Sequence, residues 1–180
     1  MDERTIEREV IYSGKIISLH RDKVMLDNGH VTYREVVTHP GATCVLPWSA
    51  GRITLVQQYR KPVEENLWEI PAGKLEPGED PLESAQRELL EETGLQALQM
   101  RYLGKFYTSP GFSSEVMHAY IATDLKQALS NPDDDELLSI RSFSVEEFEE
   151  MINGQKILDG KTLLTYYLAK VALGEEFDWK

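Results

Sequence analysis

"AGKLEPGEDPLESAQRELLEETGL", residues 72–95, places Glu88, Glu91 and Glu92 within about two helical turns, beside a single arginine, Arg87. Like charges four apart on a helix cost about 0.2–0.5 kcal/mol per pair, so this crowding needs a physical reason. The helix itself is well marked. Asp80 suits the N-cap, Pro81 the first helical position and Glu83 the capping-box position, while Gly94 suits the left-handed residue that ends a helix. This predicts a helix over 81–93. In that register Leu82, Ala85 and Leu89 form one stripe and the three glutamates occupy the neighbouring arc.

Arg87 lies one turn before Glu91 and can pair with it, which leaves Glu88 and Glu92 uncompensated in the sequence. A solvated helix face would normally interleave lysines at four-residue spacing, and this one does not. Hard divalent cations take oxygen ligands, and Mg²⁺ commonly combines a few carboxylates with substrate phosphate oxygens. A bound cation would offset the repulsion.

Outward from the helix, the first half of the chain reads as strands. The runs 15–26 and 31–39 flank "DNGH", whose Asn28-Gly29 pair suits a tight hairpin. The runs 41–49 and 53–60 flank "AGR", and "NLWEI" leads into "PAGK". After the helix, 100–108 and 115–123 return to strand around "SPGFSS". "NPDDDE", 131–136, reads as a solvated acidic loop without the spacing of a calcium loop. Ser144 and Glu147 have capping-box spacing, and Leu164, Tyr167, Leu168 and Val171 share one stripe of a last helix. Strands, a helix, more strands and then helices suit a mixed sheet covered by helices.

The chain has 180 residues, enough for one core and short for two, so a single domain is expected. A formal charge of -12 argues against a nucleic-acid or anionic-membrane partner, since both are polyanions. An anionic substrate would need a cation to mediate its approach. The single cysteine, Cys44, sits in the apolar run "GATCVLPW" and reads as a buried, inert thiol. The opening "MDERTIEREV" is charged where a signal peptide would be apolar, and no apolar run approaches a membrane span, so a cytoplasmic location is expected.

At residues 73–95 the sequence resembles the Nudix hydrolases. Their signature is Gly, five residues, Glu, seven residues, Arg-Glu, an aliphatic, any residue, Glu-Glu, any residue, Gly and an aliphatic. Gly73, Glu79, Arg87, Glu88, Leu89, Glu91, Glu92, Gly94 and Leu95 match it without departure. The resemblance implies an α/β (α+β) fold, an α/β/α sandwich around a mixed sheet. It further implies an N-terminal antiparallel strand extension over 1–40 and a catalytic domain over 41–180. Outside the signature, Pro110 in "TSPGF" lies fifteen residues after Leu95, and "REVVTHPGA", "QYRKP" and "EIPAGK" are similar to the ADP-ribose pyrophosphatase subgroup.

The resemblance implies metal-dependent hydrolysis of ADP-ribose to AMP and ribose 5-phosphate, with another nucleotide sugar or a dinucleotide as the alternative substrate. A non-catalytic binding module is disfavoured by the intact signature. By position, Glu88, Glu91, Glu92 and the carbonyl of Ala72 would hold Mg²⁺ or Mn²⁺, Arg87 would orient Glu91, and Glu115 would be the general base. Arg60 would contact a substrate phosphate, and Arg34 and Glu35 would contact substrate from the N-terminal strands. Glu69 is ambiguous between a strand residue and a carboxylate near the substrate. Unaided, Arg34 and Arg60 read as ordinary outward arginines, His118 as a sheet-face residue, and Trp68 as core. A homodimer with exchanged N-terminal strands is also implied.

Overall fold

Asn28 and Gly29 close the first tight turn as their types demand. Gly29 has φ 80°, its N–H reaches the Leu26 carbonyl at 2.9 Å, and the Asn28 side chain accepts from the His30 N–H at 3.0 Å. The structure is a computed structural model describing residues 2–128 and 138–174. It divides into two units, Met1–Gly41 with Phe106–Val116, and Ala42–Lys105 with Met117–Lys180.

In the first unit, β1 (Glu3–Ser13), β2 (Ser18–Leu26) and β3 (Val31–Thr38) form an antiparallel sheet in that order. Pairing of β1 with β2 slips between Thr5 and Glu7 and between Val10 and Tyr12, so Ile6 and Ile11 are the extra residues of two bulges. Alternation along β2 buries His20, Asp22 and Val24. Asp22 is served by Arg8 at 2.6 Å, and the His20 ring pairs with the Thr38 hydroxyl.

The second unit holds β4 (Ala42–Ser49), β5 (Arg52–Arg60), β6 (Glu65–Glu69), β7 (Ala72–Lys74), α1 (Pro81–Thr93), β8 (Leu95–Tyr107), β9 (Val116–Gln127), β10 (Ser139–Ser144), α2 (Val145–Asn153) and α3 (Gly160–Leu173). The sheet runs β10-β5-β4-β9-β8, with β6 on β5 and β7 on β4. It is mixed, because β4 pairs β9 in parallel and β5 in antiparallel sense. Midway along β4 the partners change. Ala42–Cys44 pair with β7, whereas Trp48 and Ser49 pair with β5. The Ile70-Pro71 joint between β6 and β7 crosses that fork, and the Pro71 carbonyl accepts from Val45 N–H at 2.9 Å.

Strand alternation assigns the two faces of β4. Val45 packs with Ala85 and Leu89 of α1 and with Tyr120 and Ala122 of β9. Cys44 faces the other way, its sulfur 3.2 Å from the Thr165 hydroxyl of α3. Helices therefore cover both faces, as the strand and helix order led one to expect. Cys44 is fully buried and burial pushes its thiol up to about 12, so it is inert. Trp68 is half-buried and packs edge-on against Phe143 with centroids 5.2 Å apart.

Two local expectations are corrected. The last helix does not bury the Leu164, Tyr167, Leu168, Val171 stripe: it buries Thr162, Thr165, Tyr166 and Ala169, leaving Leu164, Tyr167 and Val171 exposed. Its buried face is chosen by hydrogen bonding, with Thr162 Oγ1 accepting from Ile70 N–H at 2.9 Å. Asp80 does cap α1, but its side chain takes the Leu82 N–H at 2.8 Å in place of the Glu83 N–H that a capping box requires. The Ser144–Glu147 capping box of α2 forms as expected. The acidic segment 131–136 lies outside the described residues. Among the described residues, no helix is long and apolar enough to cross a membrane.

Candidate active site

The site grows from the contact between α1 and the three-residue strand β7. Gly94 ends α1 with φ 67°, its N–H reaching the Leu90 carbonyl at 2.8 Å. The fixed register turns Glu88 and Glu92 inward, 8% and 4% exposed, while Glu91 is half-buried. Glu92 Oε2 accepts from the Ala72 N–H at 3.2 Å. The Glu88 carboxylate lies over Gly73 so closely that a Cβ at that position would stand 1.9 Å from Oε1 and 2.0 Å from Cδ. Gly73 is thus needed for what its missing side chain admits.

Arg87 organises the acidic arc more widely than its spacing to Glu91 suggested. Its Nη1 donates to Glu88 Oε1 at 2.7 Å and Glu91 Oε2 at 3.0 Å, and its Nε and Nη2 meet the two Glu79 oxygens at 2.9 and 3.1 Å. Glu88, expected to lack a cationic partner in the chain, therefore has one. Hydrogen bonds from Arg87 hold the Glu79 carboxyl below its ordinary range, and those same carboxylates raise Arg87. Ser84 Oγ stands 3.4 Å from Arg87 Nη2 and 3.3 Å from Thr43 Oγ1, linking the arginine to the sheet.

Next to this lies a network that sequence spacing only partly foretold. Glu69 is 1% exposed and receives Arg60 as a fork, Nε to Oε1 at 2.7 Å and Nη2 to Oε2 at 2.6 Å. Lys161, from the first turn of α3, also bonds Glu69 and reaches Asp159 at 3.0 Å. Burial alone would raise the Glu69 carboxyl, but the bonds and charges of Arg60 and Lys161 outweigh it and leave it lowered. The Glu92 charge is among those that raise Arg60. Lys161 was missed because nothing in "DGKTLL" separates an inward lysine from a surface one.

Arg34, Glu35 and Glu115 belong to the first unit, and His118 to the second. Arg34 is exposed and pairs with Glu3, Nη2 to Oε1 at 2.6 Å, and Glu35 beside it is exposed. Glu115 accepts from Thr108 Oγ1 at 2.5 Å and lies 3.5 Å from His39 Nδ1. His118 sits on the sheet 6.1 Å from the Tyr102 ring, and burial lowers its pKa, a sheet-face role.

The donors at α1 and β7 are carboxylate oxygens, the type that hard divalent cations prefer, and the cradle over Gly73 brings one of them against the backbone. Among the described residues no three acidic, histidine or cysteine side chains share a common point at ligand distance, since Arg87 draws Glu88 and Glu91 while Ala72 draws Glu92. A divalent cation fits this donor set in chemistry.

Comparison with known proteins agrees with this geometry. The family model described as NUDIX domain matches residues 37–162. A protein named methanol dehydrogenase activator from Bacillus methanolicus is 44% identical, the match covering 91% of this chain and 90% of that one. A protein named ADP-ribose pyrophosphatase from Bacillus subtilis (strain 168) is 41% identical, covering 96% of each. A solved structure of an ADP compounds hydrolase superposes with a TM-score of 0.87 over 98% of this chain and 96% of that one, at 20% identity, a likeness of fold. With the family model spanning the β7–α1 unit and relatives matching nearly end to end, this chain belongs to the Nudix family and is one of its hydrolases.

Proposed function

We propose that this chain hydrolyses the diphosphate of ADP-ribose to AMP and ribose 5-phosphate. The observation that carries the reading is the seating of Glu88 on Gly73 beside Glu92 on Ala72, which gathers carboxylates against one strand end. The full-length relative named ADP-ribose pyrophosphatase supports the substrate.

In this reading Glu88, Glu91, Glu92 and the Ala72 carbonyl hold Mg²⁺ or Mn²⁺, which when bound neutralises phosphate charge and acidifies water. Arg87 holds Glu91 and Glu88 in orientation. Arg60 offers a phosphate the donors that Glu69 leaves unused. Glu115 takes the proton from the attacking water, and Thr108 fixes which of its oxygens stays available. Arg34 and Glu35 contact substrate from the N-terminal strands, in a homodimer that exchanges them. The exposed apolar residues Ile6, Val10 and Tyr12 on β1 support that assembly. The buried, inert thiol supports a cytoplasmic setting.

A second reading keeps the chemistry and changes the substrate to another nucleotide sugar or a flavin or nicotinamide dinucleotide. The relative named methanol dehydrogenase activator keeps it open, because its name does not specify ADP-ribose. Product identification after incubation with ADP-ribose and Mg²⁺ tests the proposal. AMP and ribose 5-phosphate are expected, lost in excess chelator and restored by Mg²⁺. Absence of AMP, or a dinucleotide preferred in kcat/KM, would overturn it.

A further inference from the structure

Glu69 ends β6, and it is fully buried with two cations upon it from different elements, Arg60 of β5 and Lys161 of α3. One guanidinium fork already meets both carboxylate oxygens. A fork between two long side chains still leaves the pair free to swing together, whereas a third contact from another element removes that freedom. The helix end that supplies it is itself pinned to the neighbouring residue, since Thr162 Oγ1 accepts from Ile70 N–H at 2.9 Å while Asp159 caps Thr162 N–H at 2.9 Å. Lys161 is held from its own side by Asp159.

Arg60, by contrast, is partly exposed at 39% of its side chain. A guanidinium has five N–H donors and the fork uses two, so the others are free to meet an anion. Among the described residues none of those others is spent on a protein acceptor. A donor set aimed at a phosphate is useful only if its plane is fixed before the phosphate arrives.

We propose that Lys161 is a positioning residue which, through Glu69, holds the Arg60 guanidinium in the plane that meets a substrate phosphate. The inference rests on the reading of Arg60 as a phosphate contact and extends it to a residue on another element. Lys161 itself touches no substrate.

Steady-state kinetics with ADP-ribose and Mg²⁺ test it in four variants. K161M should raise KM about tenfold with kcat within about threefold, and K161R should recover most of the loss. R60A should raise KM by at least as much, and K161M added to R60A should change KM less than about twofold, because its effect runs through Arg60. A purely structural lysine would lower the Tm and shift KM alike in both backgrounds, and that result would overturn the proposal. A raised KM in R60A with a native KM in K161M would also overturn it. An unchanged KM in R60A would instead remove the phosphate reading of Arg60. Should K161M fail to fold, K161Q, polar but without the ammonium charge that holds Glu69, carries the same comparison.

Discussion

The carboxylate of Glu88 occupies the volume that any side chain at residue 73 would fill: a Cβ there would stand 1.9 Å from Oε1. Gly73 lies outside the positive-φ residues described, so alanine suits its backbone and the nearest conflict is with the Glu88 carboxylate. Gly73→Ala should therefore fold, with a Tm within about 3 °C of native, because a flexible carboxylate can move aside. Turnover should fall about 100-fold, the scale on which a misplaced group is felt. Thermal melts and kcat on the same sample check both; native turnover would contradict the role given to Glu88.

Glu92 accepts a hydrogen bond from the Ala72 N–H, which an amide oxygen can also accept. Glu92→Gln should keep the fold and lose about 100-fold or more in kcat, since only the charge is removed. Circular dichroism paired with initial rates makes the comparison, and equal activity would exclude Glu92 from the metal site.

Stability should depend on acid through Glu69 and Glu79. Both carboxyls are lowered from the ordinary 4.5, so the folded state binds fewer protons than the unfolded one. Their contribution is fully present above 4.5 and is lost as the pH falls through the folded values. Urea midpoints should be flat from pH 7 to about 5 and then fall, and Glu69→Gln should flatten part of that slope. A midpoint independent of pH below 4.5 would contradict it.

All eleven residues of β1 are exposed, including Ile6 and Val10. If β1 pairs with a second copy, the double change Ile6→Glu and Val10→Glu should weaken dimerisation by roughly 100-fold or more, because charges would be buried there. Sedimentation equilibrium reads the outcome. A native protein that is monomeric would remove the homodimer.

Legibility in the sequence followed the range of the interactions. The α1 helix was readable to the residue, because Pro81 and Gly94 act on their own backbone. The Asn28-Gly29 turn was readable for the same reason. β10 escaped notice, since "SIRSFS" gains its strand identity from pairing with β5 over Ser139–Ser144. β8 begins at Leu95, earlier than its most strand-like run suggested. The last helix misled because apolar character predicted its buried face, whereas Thr162 and Thr165 are inside to bond Ile70 and Cys44. Within the site, the glutamates and Arg87 were visible as a pattern. The reach of Arg87 to Glu79 and Glu88, and Lys161 altogether, depend on contacts that spacing does not encode.

The partner change along β4 has a consequence for what lengths of chain this architecture tolerates. One added residue at Ile70-Pro71 would slide Ala72 and Gly73 out of step with Cys44 and Thr43 and invert which side of the ribbon each presents. The turn at 61–64, which bulges into solvent, carries no such obligation. Grafted loops, tags or affinity handles therefore belong at that tip, and the joint six residues further on must keep its native count.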